Sequence, residues 1–181
     1  MLAALALLAP VAPARAQARL TQQEALALAF PGADSVARRT AYLSEADLRR
    51  VQALAGPGSA PPPAVVSYYT AWHGRQPIGV AYFDVHRVRT EREVLMFVLD
   101  AGGMIRRVEV LAFAEPPEYA PPKGWLGQFA GLDSAAAPNV ARRIAGITGA
   151  SLTTRAAERA ARRVLALHAV IRPFGNPGAR P

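Results

Sequence analysis

Residues 64–113 place the strongest constraint on the fold. Four runs, AVVSYYTAWH (64–73), PIGVAYFDVH (77–86), REVLMFVLD (92–100) and MIRRVEVLAF (104–113), are rich in β-branched and aromatic residues. Such residues suit the pleated, half-buried surface of a sheet. Gly74-Arg75 separates the first pair and Ala101-Gly102-Gly103 the last. Connections this short join antiparallel neighbours, because a parallel crossover needs a dozen or more residues. The pattern predicts four antiparallel strands in a row.

Helices are expected on both sides of this block. Thr21-Gln22-Gln23-Glu24 has the form of a capping box and opens a helix through about Phe30, ended by Pro31-Gly32. Ser44-Glu45-Ala46-Asp47 is a weaker version of the same signal and opens a helix to about Leu54. GPGSAPPP (56–63) is a stiff loop. The prolines of EPPEYAPPKGW (115–125) lack the donor that a central strand needs, and a short helix follows near Leu126 to Phe129. The final helix is expected from about Thr153 to Val170, with Ala156, Ala160, Val164, Leu167 and Ile171 at helical spacing. The predicted fold class is α+β: a mostly antiparallel sheet with N-terminal helices and a C-terminal helix. No internal repeat is visible, and 181 residues suffice for one domain with a real core.

The first residues, MLAALALLAPVAPARAQA, form an apolar run closed by Ala14-Arg15-Ala16. This is the pattern of a secretory signal peptide cleaved after Ala16, although no Lys or Arg follows Met1. The competing reading is a buried N-terminal helix. The run is too short, and too broken by Pro10 and Pro13, to span a bilayer. The expected organisation is therefore a signal peptide over 1–16, a domain over 17–172 and a flexible tail over 173–181. An exported protein is expected, periplasmic or peripheral to the inner membrane, with no transmembrane span of its own.

Composition and motif searches remove several function classes. The chain has no cysteine, which excludes disulfides and thiol chemistry. The net charge of +8 is dispersed as Arg pairs, among them Arg38-Arg39, Arg49-Arg50 and Arg142-Arg143, with no stripe interleaved with aromatics. A nucleic-acid groove would need such a stripe, so no nucleic-acid partner is expected. His73, His86 and His168 have no metal-ligand spacing, and structural or surface roles are expected for them. Glu115 and Glu118 could pair for acid–base work, but they lie in a proline-rich loop with nothing else in support. Ser151 does not sit in the G-x-S-x-G elbow of a hydrolase. Neither a P-loop nor a Rossmann fingerprint is present, and no catalytic residue is assigned.

Three segments, in order, carry a resemblance. They are VLAFAEPPEY with Glu115 and Pro116, WLGQF from Trp125 to Phe129, and Thr148-Gly149-Ala150-Ser151 continuing into Leu152-Thr153-Thr154. Over residues 64–170 the chain resembles the FMN-binding domain family. That family includes the flavin-carrying subunits of Rnf and Na+-translocating NADH:quinone reductase complexes and the N-terminal region of NosR-type proteins. The resemblance implies FMN joined by a phosphoester to the last hydroxyl of the motif, here Ser151. It also implies installation by an exported FAD- and Mg2+-dependent flavin transferase, and electron exchange with membrane or periplasmic redox proteins.

In that setting Gly149 and Ala150 leave the backbone open for the nucleotide and the transferase. A helix start near Thr153 directs N–H groups towards the phosphate, and Arg155 is a candidate to add charge. Thr148 is expected to make local hydrogen bonds in the turn, and either Thr153 or Thr154 to cap the helix. Trp125, Tyr119 and Phe129 either pack on the flavin or serve the core. Glu115 either hydrogen-bonds the flavin or caps a loop. The chain departs from the family pattern at three places. Ala145 stands where an Asp is usual, the acceptor is Ser rather than Thr, and PEYAPP replaces a Gly-Leu-Gly. The alternative reading is an extracytoplasmic binding module of the same fold that has lost covalent flavin.

Overall fold

The computed structural model describes residues 20–122 and 124–175. The expected signal peptide lies outside the described residues, as does the tail from 176 onward. In chain order the elements are α1 (Gln22–Ala29), β1 (Ser35–Tyr42), α2 (Glu45–Ala55), β2 (Val65–His73), β3 (Gln76–Arg87), β4 (Arg92–Asp100) and β5 (Ile105–Phe113). Three 3-10 turns follow at Pro117–Tyr119, Trp125–Phe129 and Ala137–Asn139, then α3 (Val140–Arg143) and α4 (Ser151–Ile171). The fold is α+β, and the sheet is an antiparallel meander in the order β1-β2-β3-β4-β5.

Among the described residues five strands form, not four. The additional strand is β1, SVARRTAY, which pairs with β2 from Ser35↔Trp72 to Tyr42↔Val65. Its side chains are mostly exposed, so it shows no apolar alternation for a sequence reading to detect. It is a strand because β2 offers it a backbone ladder. Arg38 and Arg39 on this outer strand discourage edge-to-edge association.

The two faces of the sheet are buried under different helices. On one face Val80, Tyr82, Leu95, Phe97, Leu99, Ile105 and Val108 pack with Val51 and Ala55 of α2 and with Ala157, Ala160, Ala161 and Val164 of α4. The run of alanines on α4 allows it a close approach to α2. On the other face Ala71, Ala81, Met96 and Val98 pack with Ala25, Leu26 and Phe30 from α1. A Cβ on Gly79 would stand 2.8 Å from the Phe30 ring and 2.6 Å from the Leu99 carbonyl oxygen, so β3 has no room for a side chain there.

Buried charge fixes α4 against the sheet. Arg163 of α4 donates from Nε and Nη2 to the two carboxylate oxygens of Asp84 on β3, at 2.8 and 2.7 Å. His86 lies between Asp84 and Glu93 of β4, with Nδ1 2.8 Å from Asp84 Oδ1 and Nε2 2.8 Å from Glu93 Oε2. An imidazole that serves two carboxylates must donate from both nitrogens and is therefore protonated. Burial opposes that charge, but hydrogen bonds from Asp84 and Glu93 and their negative charges overcome it and raise the His86 pKa to about 9. Burial also works against the Asp84 carboxylate, and the bonds and charges of His86 and Arg163 outweigh it, so its pKa falls below the usual value.

Candidate functional site

The segment Thr148-Gly149-Ala150-Ser151 forms a turn that enters α4. Its chain reversal is closed by the Ala150 N–H donating to the Ile147 carbonyl at 3.1 Å. Gly149 has φ +80, a value that favours glycine, and a Cβ there would meet nothing within 4 Å. The residue is therefore required for backbone conformation and leaves open space beside the turn.

Helix α4 begins at Ser151, earlier than the periodicity suggests, and its N-cap residue is Ala150 with no side-chain cap. The expectation that Thr153 or Thr154 caps the helix is thus corrected, because both lie inside its first turn. Thr153 Oγ1 instead donates to the Tyr119 carbonyl at 2.7 Å. Thr154 Oγ1 accepts from the Ile147 N–H at 2.9 Å and faces the Ala150 carbonyl at 3.4 Å. Both threonines are buried, and they bind the turn and the proline-rich segment to the helix. Thr148 is also corrected: it is exposed, and its hydroxyl has no hydrogen-bond partner among the described residues. Backbone closes the turn without it.

Ser151, at the first helical position, is exposed, and so is Leu152. The amide groups of Ser151, Leu152 and Thr153 have no intrahelical acceptors, as in the first turn of any α-helix. Together with Gly149, Ala150, Tyr119 and Arg89 these three residues line a cavity of about 120 Å³. Among the described residues the cation that lines this cavity is Arg89, from the turn between β3 and β4; Arg155 does not line it.

Arg89 is placed by the segment that follows β5. Glu115 is buried, and its Oε1 accepts three consecutive backbone N–H groups, from Arg89 at 2.9 Å, Thr90 at 2.7 Å and Glu91 at 2.8 Å. The bond from Glu91 and those from its two neighbours hold the Glu115 carboxyl below the usual carboxylate range. Glu115 therefore caps a loop, and its engaged oxygen argues against a general base paired with the exposed Glu118. The guanidinium of Arg89 lies 4.9 Å from the centre of the Tyr119 ring.

Trp125 does not line the cavity. Its indole N–H donates to the Ala145 carbonyl at 2.8 Å, while Gln128 Oε1 accepts from the Ala145 N–H at 2.8 Å. Its ring meets Phe129 edge-on at 5.5 Å. The WLGQF segment thus grips the chain just before the Gly-Ala turn, with Phe129 in the core and Trp125 half-buried above it. Sequence reasoning singled out Tyr119, Glu115 and the Gly-Ala-Ser turn, which the structure brings to one place. It missed Arg89, whose position inside HRVRTERE carries no signal until the β3–β4 turn is folded.

Larger clefts open elsewhere, of about 520 Å³ beside Asp84 and Tyr69, 510 Å³ beside His168 and Arg172, and 460 Å³ between β5 and the Trp125–Phe129 turn. None of the three is lined by a hydroxyl of the motif. His168 is kept neutral by burial, which lowers its pKa to about 4, and its Nδ1 lies 3.2 Å from the Tyr82 hydroxyl. Among the described residues no cluster of three or more His, Asp or Glu side chains could hold a metal ion, and no helix is long and apolar enough to cross a membrane. No family model matches the chain, and none of the characterised proteins compared with it is significantly similar in sequence.

Proposed function

We propose that this chain is an exported electron-transfer protein that carries FMN through a phosphoester on Ser151. The observation that carries the reading is the meeting, at one small cavity, of an exposed hydroxyl, a guanidinium and the first turn of a helix with no side-chain cap. That donor set suits a phosphate, since N–H groups at a helix start and a fixed cation both favour an anion. The open space beside Gly149 leaves the hydroxyl accessible to a transferase. The phosphate end of FMN therefore fits the residues present. A cavity of about 120 Å³ does not enclose the ring system, because pockets that bury most of a drug-sized ligand offer about 300–1,000 Å³. The isoalloxazine would rest outside it, within reach of redox partners.

In the attachment step the Ser151 oxygen attacks the flavin-side phosphorus of FAD. The new O–P bond replaces the pyrophosphate O–P bond, AMP leaves, and the hydroxyl proton passes to the transferase or to solvent. Arg89 and the α4 amides would hold the phosphate of the attached group, which as a diester would bear one negative charge. Tyr119 is the aromatic side chain beside the anchor, and Trp125 supports it by fixing Ala145. Bound FMN supplies the redox chemistry, and the fold sets its orientation and exposure.

The test is co-expression with an FAD-dependent flavin transferase, denaturation, and a search for fluorescence and added mass that stay with the polypeptide. Ser151→Ala should lose the signal completely, and Ser151→Thr should keep it. Ala145→Asp, at an exposed position, should raise loading. Native protein should begin at Gln17. Flavin retained by denatured Ser151→Ala would move the attachment to another residue. A second reading, a binding module without covalent flavin, is favoured by Ala145 standing where the family carries Asp. Failure of both the wild type and Ala145→Asp to load would select it.

A further inference from the structure

We propose that the gap between β2 and β3 binds an extended peptide segment of a partner protein, with apolar side chains at alternate positions and an acidic residue facing Arg38. The proposal does not rest on the flavin reading. Val164, on the floor of the gap, is about 20 Å along α4 from Ser151, at a rise of about 1.5 Å per residue.

The ladders of the sheet do not end together. β2 pairs with β3 only from Tyr68↔Tyr82 to His73↔Gln76. β1 follows β2 as far as Tyr42↔Val65, and β4 follows β3 as far as Arg87↔Arg92. Residues 65–67 and 83–87 therefore have a neighbouring strand on their outer side only. Backbone groups alternate in direction along a strand. The carbonyls of Ala64 and Trp72 accept from Leu43 and Asp34, on the β1 side. Val65 and Ser67, out of phase with them, turn their N–H and C=O groups to the gap. Tyr69 faces Ala81 across the intact ladder, so Phe83 and Val85 turn theirs to the gap from the opposite edge. Val65, Ser67, Phe83 and Val85 all line the cleft of about 520 Å³.

Backbone donors and acceptors inside a fold are seldom left without partners. A row of them on both sides of a gap fits the main chain of an added strand, whose alternate side chains then settle against the two faces of the sheet. On the α4 side Val66, Tyr82, Val164 and Leu167 offer an apolar surface. On the other side Val65 and Val85 are 54% and 59% exposed, because α1 packs instead over Ala71, Ala81, Met96 and Val98. The charge at the cleft is set by Arg38, which lines it and donates from Nη2 to Ser67 Oγ at 2.9 Å. Among the described residues the Arg38 guanidinium meets no carboxylate. Asp84 also lines the cleft, but Arg163 and His86 already neutralise it. Arg38 thus selects an acidic side chain beside Ser67.

The experiment adds the blocked pentapeptide acetyl-VEVTV-amide to the isotope-labelled full chain and follows backbone amide signals by NMR. Val65, Ser67, Phe83 and Val85 should shift to saturation and gain protection from hydrogen exchange. Acetyl-VKVTV-amide should bind about tenfold more weakly, because it brings like charges together. Arg38→Glu, at an exposed position that leaves the core intact, should reverse the order of the two peptides. Methylation of the peptide's backbone nitrogens removes its donors but keeps its side chains, and it should abolish the shifts.

No response at the four amides, equal binding of the two peptides, or undiminished binding of the methylated peptide would each overturn the proposal. Protection of those amides without peptide, lost in a chain shortened to begin at Leu20, would overturn it in favour of the protein's own N-terminal segment. Shifts that follow protein concentration alone would overturn it in favour of a second copy of the chain.

Discussion

Helices α1 and α2 begin in the opposite way to α4. In α1 the Thr21 side chain accepts from the Glu24 N–H at 3.2 Å, and Glu24 returns to the Thr21 N–H at 2.8 Å. In α2 the same reciprocal pair joins Ser44 and Asp47, at 3.2 and 3.0 Å. Both cap residues have extended backbone, with ψ 159 and 166. The long helix α4 starts on Ala150, with ψ 47 and no side-chain cap. Helices α1 and α2 thus close their starts with side chains of their own, while α4 leaves its first-turn donors beside a cation and a hydroxyl. A capping side chain contributes about 0.5–2 kcal/mol, and α4 does without it. What holds α4 in place is burial along its alanine face and the Asp84–Arg163 pair in its middle. The stabilising contacts are thereby separated from the end available to a ligand.

The comparison breaks most readily at that anchor. Arg163→Leu leaves Asp84 buried and His86 without its balancing geometry, and removing one partner of a buried pair costs about 3–5 kcal/mol. Urea denaturation at pH 7 should show a loss of that size. A loss below about 1 kcal/mol, the range of an exposed pair, would mean that α4 is held by apolar burial alone.

Alkaline pH tests the same anchor without mutation. The His86 pKa stands at about 9 in the folded protein, against 6.5 for an ordinary histidine. Its contribution is therefore fully present below about pH 6.5 and is lost as pH rises through about 9. At about 1.4 kcal/mol per unit the total is roughly 3 kcal/mol. The depressed Asp84 pKa acts in the other direction, with stability present above its unfolded value and lost as pH falls further. Denaturation midpoints measured between pH 6 and 10 should decline in the wild type. In His86→Gln they should be flatter over the same range.

A smaller effect is expected at the closed caps. Ser44→Ala should cost about 1 kcal/mol, within the range for losing an N-cap hydroxyl, and should leave flavin loading unchanged. The smallest effect belongs to α4. Ala150→Ser should change stability by less than about 0.5 kcal/mol, because the backbone at 150 does not have the extended conformation that presents a capping oxygen at Thr21 and Ser44. A gain near 1 kcal/mol, together with lower loading, would show that the donors are open only for want of a side chain.

Both capping boxes were legible because a cap is a local device, written within four residues. The meander was legible because short Gly-containing turns between β-rich runs allow little else. β1 was hidden because Arg38, Arg39 and Thr40 give no apolar alternation, and the strand depends on β2 for its ladder. The Gly-Ala-Ser turn could be marked in sequence. The cation facing it could not, because Arg89 and Ser151 are far apart in the chain and meet through Glu115 and Tyr119.

The sequence by itself determined the α+β class, the order of most elements, the two closed helix starts and the small-residue turn before α4, because each depends on neighbours a few residues away. Tertiary structure alone decided that α4 begins at Ser151 without a cap. It also decided that Thr153 and Thr154 serve as fasteners, that His86 is a half-buried imidazolium, and that Arg89 lines the Ser151 cavity. Those outcomes depend on hydrogen bonds and charges brought together across strands and helices; for Thr153, Thr154 and the Asp84 and Glu93 carboxylates solvent is excluded, and each unpaired group there is costly enough to dictate its partner.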